Sequence, residues 1–130
     1  MPTAHFHPDR DKKLKCPCCG KYNVREELLQ ALEMVRVIVN FPMVVESGTR
    51  CPSHNAAVGG EDDSEHLTGE GVDVRCLVGT TRFALIKTGL GVGFDRIGVG
   101  SNFIHFGMRS AAPQEVIWTY YPKKKEADAP

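Results

Sequence analysis

Ser64-Glu65-His66-Leu67-Thr68-Gly69-Glu70-Gly71-Val72-Asp73 places an imidazole and a carboxylate at either end of a short polar, glycine-broken stretch. The chain then continues as Val74-Arg75-Cys76, so Val72, Val74 and Cys76 share one side of a strand and Asp73 falls on the other. A carboxylate in so apolar a strand is costly unless it is paired or bound to a metal. The same holds for His105, the polar residue of Phe103-Ile104-His105-Phe106. Two imidazoles and a carboxylate could close one face of a zinc ion and leave a fourth position open, as a catalytic zinc site requires. Residue types alone leave a plainer account equally open, in which Asp73 pairs with an arginine and His105 is an ordinary part-buried histidine.

Upstream, Leu28, Leu29, Leu32, Val35 and Val39 recur at helical spacing and predict an amphipathic helix over about 24–39. Asn23 can cap it, with Glu26 at the third helical position as in a capping box. Pro42 separates it from a short strand, Met43-Val-Val-Glu-Ser47, and residues 48–63 read as loop with a helical turn near Asn55–Val58. Thr80 or Thr81 can start a second helix through about Lys87, with Gly89 as its stop. Phe94–Val99 and Phe103–Met108 read as two strands joined at Gly100-Ser-Asn102, and Trp118–Tyr121 as an edge strand. This order predicts an α+β fold: one small domain over 14–122, a central antiparallel sheet and flanking helices. Residues 1–13 read as a polar leader and 123–130 as a disordered tail.

The chain has 130 residues with 16 acids and 16 bases. That length suits one domain, and the balanced charge gives no field drawing it to nucleic acid or a membrane. No run of about 18 apolar residues exists to span a bilayer, and the first residues lack a secretory pattern. Expected are cytoplasmic synthesis without membrane insertion, and action elsewhere only after release or delivery by another protein.

The stretch Ser47-Gly-Thr-Arg50-Cys-Pro-Ser-His54-Asn-Ala-Ala-Val-Gly-Gly60, followed by Ser64-x-His66-x-x-Gly69-x-x-x-Asp73, resembles the zinc D-alanyl-D-alanine carboxypeptidase family and its phage and bacterial cell-wall relatives. Gly91-Val-Gly93 and Phe103-Ile-His105 follow in the expected order, so the likeness runs from near Cys16 to about Tyr121. It implies the hedgehog/DD-peptidase fold, Zn2+ held by His66, Asp73 and His105, and peptidoglycan stem or cross-link peptides as substrate; a phage or bacterial, endolysin-like role would fit. It also implies that Arg50 holds substrate and stabilises the oxyanion formed when water attacks the carbonyl, a task suited to a guanidinium that stays charged. Ser64 would line the cleft and bind substrate, or else shape the loop entering His66. For Arg50 the plainer reading is a surface ion pair with Glu46 or the 61–63 acids.

Two positions depart from the family pattern. Where many relatives carry a glutamate three residues before the last histidine ligand this chain has Asn102, and where others carry an aspartate two residues after it this chain has Gly107. No general base is therefore assigned; Glu70, Glu46 and Asp95 are candidates without a spacing rationale. The alternative that follows is a catalytically inactive zinc-containing wall-binding or virion-associated module.

Five cysteines, an odd number, cannot all pair internally. Cys16-Pro-Cys18-Cys19 and Cys51-Pro-Ser-His54 could make a Cys3His structural zinc site. The helix between them and the lack of a basic, aromatic surface favour buried thiols or one disulfide between the leader and the loop. Gly89-Leu-Gly91-Val-Gly93 lacks the ending of a phosphate loop and suits close approach of a strand near the metal cleft. Trp118 is expected in the core, with Tyr120 and Tyr121 as a weaker candidate ligand platform.

Overall fold

Leu28, Leu29, Leu32 and Val35 are buried along one side of helix α1 (Glu26–Val39), as their spacing requires. The computed structural model describes residues 3–120; Tyr121 and the predicted 123–130 tail lie outside them. The expected capping box does not form: Arg25 is the N-cap and no side chain caps the helix. Asn23 is engaged elsewhere, its backbone N–H donating to Thr49 Oγ1 at 3.0 Å and its side-chain amide to the Leu67 carbonyl at 3.2 Å. Its side chain therefore pins α1's entry to neighbouring loops rather than to the helix's own N–H groups.

Five strands follow: β1 (Val45–Ser47), β2 (Gly71–Arg75), β3 (Arg96–Val99), β4 (Phe103–Gly107) and β5 (Val116–Thr119). They form one sheet in the order β1-β2-β4-β3-β5. The first four are antiparallel neighbours, and β5 joins β3 in parallel, so the sheet is mixed at its outer edge rather than antiparallel throughout. A parallel pair needs a crossover instead of a hairpin, and the chain between β4 and β5 provides it. The α+β class stands, with helices flanking a central sheet.

Alternation then sorts side chains between the two faces. Val72, Val74, Ile97, Ile104 and Phe106 are fully buried with α1 and with Leu85 of helix α4 (Gly79–Val92), against which α1 packs. Gly89 does not stop α4. The helix runs on to Gly93, whose left-handed backbone (φ 108°) ends it. A Cβ at Gly89 would stand 2.5 Å from the Phe106 ring, so the glycine lets helix and sheet approach closely on the core face, away from the His66–Asp73–His105 group. Phe6, in the stretch read as leader, and Leu14, at the end of a 3-10 turn (Lys12–Leu14), are also buried.

The opposite face of the sheet carries the polar row. Ser47, Asp73, His105, Gly98 and Trp118 are successive register partners across all five strands. Two short helices stand beside it, α2 (Pro52–Ala57) and α3 (Glu65–Thr68). No described helix is long and apolar enough to cross a membrane.

Candidate metal centre

Asp73 and His105 meet because they are direct partners in the β2–β4 ladder. His66 reaches them from α3, a helix of four residues to which the sequence reading assigned no element. Ser64 makes that turn: it is the N-cap, and its hydroxyl accepts the His66 backbone N–H at 3.2 Å. All three side chains are buried, His66 included. One donor atom from each lies within 4.8 Å of the others, and the imidazoles meet edge to face with centroids 5.0 Å apart.

Hydrogen bonding fixes which nitrogens face inward. His66 Nδ1 is 2.7 Å from the Gly48 carbonyl. A carbonyl only accepts, so Nδ1 carries a proton and Nε2 is the nitrogen left to meet a metal ion. That Nε2 faces Asp73 Oδ2 at 3.3 Å. His105 Nδ1 lies 2.8 Å from Asp73 Oδ1, and its Nε2 lies 2.8 Å from Glu65 Oε1. A proton on His66 Nε2 or a metal ion between the two would join this nitrogen to the Asp73 carboxylate. Donors bound to one tetrahedral zinc at ordinary Zn–N and Zn–O lengths stand about 3.3 Å apart. The set fits Zn2+ in chemistry, spacing and burial, and it can coordinate a metal ion.

Glu65 is the residue that sequence reasoning missed. Its carboxylate is buried and takes three donors: His105 Nε2, Arg96 Nε at 3.0 Å and the Arg109 backbone N–H at 3.1 Å. The space it fills belongs to Gly107, where a Cβ would lie 2.3–2.6 Å from the Glu65 carboxyl group. An acid from α3 thus fills the space that a side chain on β4 at position 107 would take. Carboxylates behind metal-ligating histidines fix the tautomer and orient the ring. Only the empty side chain at position 107, read together with the acid beside His66, could have signalled it.

Charge follows from these contacts. Burial would raise the Asp73 pKa, but hydrogen bonds and charge from His105 and His66 hold it well below the usual carboxylate range. Glu65 is likewise depressed despite burial, through His105, Arg96 and the Arg109 N–H. Burial would lower His105, yet Asp73 and Glu65 together raise it to about 9. Between its two carboxylates the ring is an imidazolium, and a metal on Nδ1 would replace one of its protons.

Arg50 does not pair with Glu46 or the 61–63 acids. Glu46 is taken by Arg75, while Arg50 points inward, bonded to Ser47 Oγ at 3.3 Å and Asn55 Oδ1 at 3.2 Å. Its NH2 stands 3.6 Å from Asp73 Oδ2. Trp118 is not core: half-buried, its ring lies 5.6 Å from His105 with the Arg96 guanidinium 5.0 Å over it. Tyr120 stands beside both, and Gly98 leaves the room these two rings occupy. Burial pushes the Tyr120 phenol up to about 12, so it remains a donor. Glu70 is bonded to Thr68 and faces Arg25, and Asp95 has an exposed side chain. Among the described residues, none of Glu46, Glu70 and Asp95 bonds to the cluster.

A family model described as Peptidase M15 matches residues 9–107, a span that includes Arg50, Ser64, Glu65 and the whole His66–Asp73–His105 group. Among curated proteins, none matches the chain.

Proposed function

Because the chain belongs to the peptidase M15 family, we propose that it is a zinc-dependent peptidase acting on the stem or cross-link peptides of peptidoglycan. The observation that carries this reading is the buried His66–Asp73–His105 group, whose inward-facing atoms suit one divalent cation. Zinc held there would supply Lewis acidity, polarising a scissile carbonyl and lowering the pKa of water.

The protein's part is orientation and charge. The Gly48 carbonyl holds His66 with Nε2 inward, and Glu65 holds His105 with Nδ1 inward. Arg50, braced by Ser47 and Asn55, brings a fixed positive charge to the rim of the cluster, where it would bind substrate and stabilise an oxyanion. Tyr120, a neutral phenol on the same rim, would offer a second donor, with Trp118 as an apolar wall. Ser64 would serve chiefly by capping α3 and so setting His66, with substrate contact secondary.

The test is mass spectrometry of purified muropeptides incubated with zinc-loaded protein, beside His66→Ala. Cleavage products that vanish in the variant would support the reading and identify the bond. Stoichiometric zinc without products, across pH and peptide length, would favour the inactive wall-binding module that Asn102 motivates.

A further inference from the structure

Cys16, Cys19 and Cys51 converge although a helix and a strand separate the first pair from the third. Their sulfurs lie within 4.8 Å of one another, and all five thiols of the chain are free. A tight turn presents the pair: Gly20 N–H donates to the Cys16 carbonyl, and Cys16 N–H to the Lys21 carbonyl, both at 2.8 Å. The third arrives on the loop before α2. Cys51 N–H donates to Cys16 Sγ at 3.4 Å, and His54 N–H to Cys51 Sγ at 3.4 Å. Backbone donors aimed at sulfur suit thiolates, which carry charge that thiols do not.

A disulfide would use two of these sulfurs and strand the rest. One tetrahedral zinc would use them together, with sulfurs about 3.8 Å apart at ordinary Zn–S lengths. The Cys-x-x-Cys spacing of Cys16 and Cys19 lets one turn supply two donors. We infer that Cys16, Cys19 and Cys51 hold a second, structural Zn2+. Each coordinating thiol gives up its proton to solvent on binding, and no electron is transferred. The ion clamps the N-terminal turn onto the loop that carries Arg50, the residue preceding Cys51. The intervening helix is no obstacle to such a site, because the fold brings both ends of that segment together. The site stands apart from the His–Asp–His group and does not depend on the peptidase reading.

The experiment is cobalt(II) loading of the full chain under a non-coordinating reductant, with total zinc measured in parallel. Thiolate ligation gives an intense sulfur-to-cobalt charge-transfer absorption that a His–Asp–His site cannot produce. Expected is that band in wild type and in His66→Ala, and its loss in Cys19→Ser and Cys51→Ser. Wild type should also hold one zinc equivalent more than either cysteine variant. Cys19 is exposed, so its serine variant should keep a wild-type circular dichroism spectrum, which separates lost ligation from lost folding. Absence of the band in wild type, its persistence in Cys19→Ser, or a Cys16–Cys51 disulfide whose reduction restores no metal uptake would each overturn the assignment.

Discussion

Replacing Glu65 tests whether its carboxylate can be exchanged for one placed at position 107. Glu65→Ala removes three bonds at 2.8, 3.0 and 3.1 Å, leaving Arg96 without its acid and the buried His105 with Asp73 alone. Hydrogen bonds to charged groups are worth about 1.5–3 kcal/mol each, but these share one acceptor and do not add. Breaking a buried pair from one side costs about 3–5 kcal/mol, and that is the expected loss of unfolding free energy. Gly107→Asp alone should cost about 1–3 kcal/mol by overpacking, because its Cβ meets the Glu65 carboxyl. The backbone at 107 is not left-handed, so an aspartate there is not otherwise strained. The double variant moves the acid from helix to strand, and should sit about 1–3 kcal/mol above the sum of the single effects. Zinc affinity should fall about 10–100-fold in Glu65→Ala and recover in the double variant. Urea unfolding of chelator-treated protein and competition with a chromophoric zinc indicator read both quantities. Strictly additive losses, or a Glu65→Ala protein that binds zinc as wild type does, would refute the substitution of one acid for the other.

Metal-free stability should pass through a maximum. The His105 pKa is raised in the folded state, so its contribution is complete below its ordinary value and is lost as pH rises through about 9. Asp73 and Glu65 are depressed, so theirs is present above ordinary carboxylate values and lost as acid protonates them. Urea midpoints with chelator present should therefore peak near about pH 5–6 and decline on both sides; a flat profile from there to pH 9 would contradict the imidazolium assignment. Arg50→Lys keeps the charge but loses the directed bonds to Ser47 and Asn55. Turnover on muropeptides should drop about 100–1,000-fold with little change in melting temperature, and an unchanged kcat would remove Arg50 from the chemistry.

What could be read in the chain was whatever depended on local period. The α1 stripe, the alternation of β2 and the hairpin of β3 and β4 are each set by neighbours a few residues away, and the structure shows them near the expected positions. What escaped depended on distant contacts. Gly89 reads as a helix stop until Phe106 is seen against it. Asn23 reads as a cap until Thr49 and Leu67 claim it. Trp118 reads as core because nothing local says that β5 runs parallel beside β3 on the face of His105. The three metal-binding candidates were legible through their motif, whereas Glu65 was not, since an acid next to a histidine in sequence gives no sign that it will cross to the back of another.

Asp73 and His105 are paired by a ladder that runs from Gly71–Gly107 to Arg75–Phe103. Sliding β2 and β4 together by a single residue would turn both ligands into the packed interior and send Val72, Val74, Ile104 and Phe106 outward. Metal capture would therefore act as a proofreading step for strand alignment: a misaligned chain would offer an ion nothing to hold, and a correctly aligned one would be locked by it. Lengthening the 100–102 turn should be tolerated, whereas one residue inserted inside either strand should abolish core and zinc affinity together.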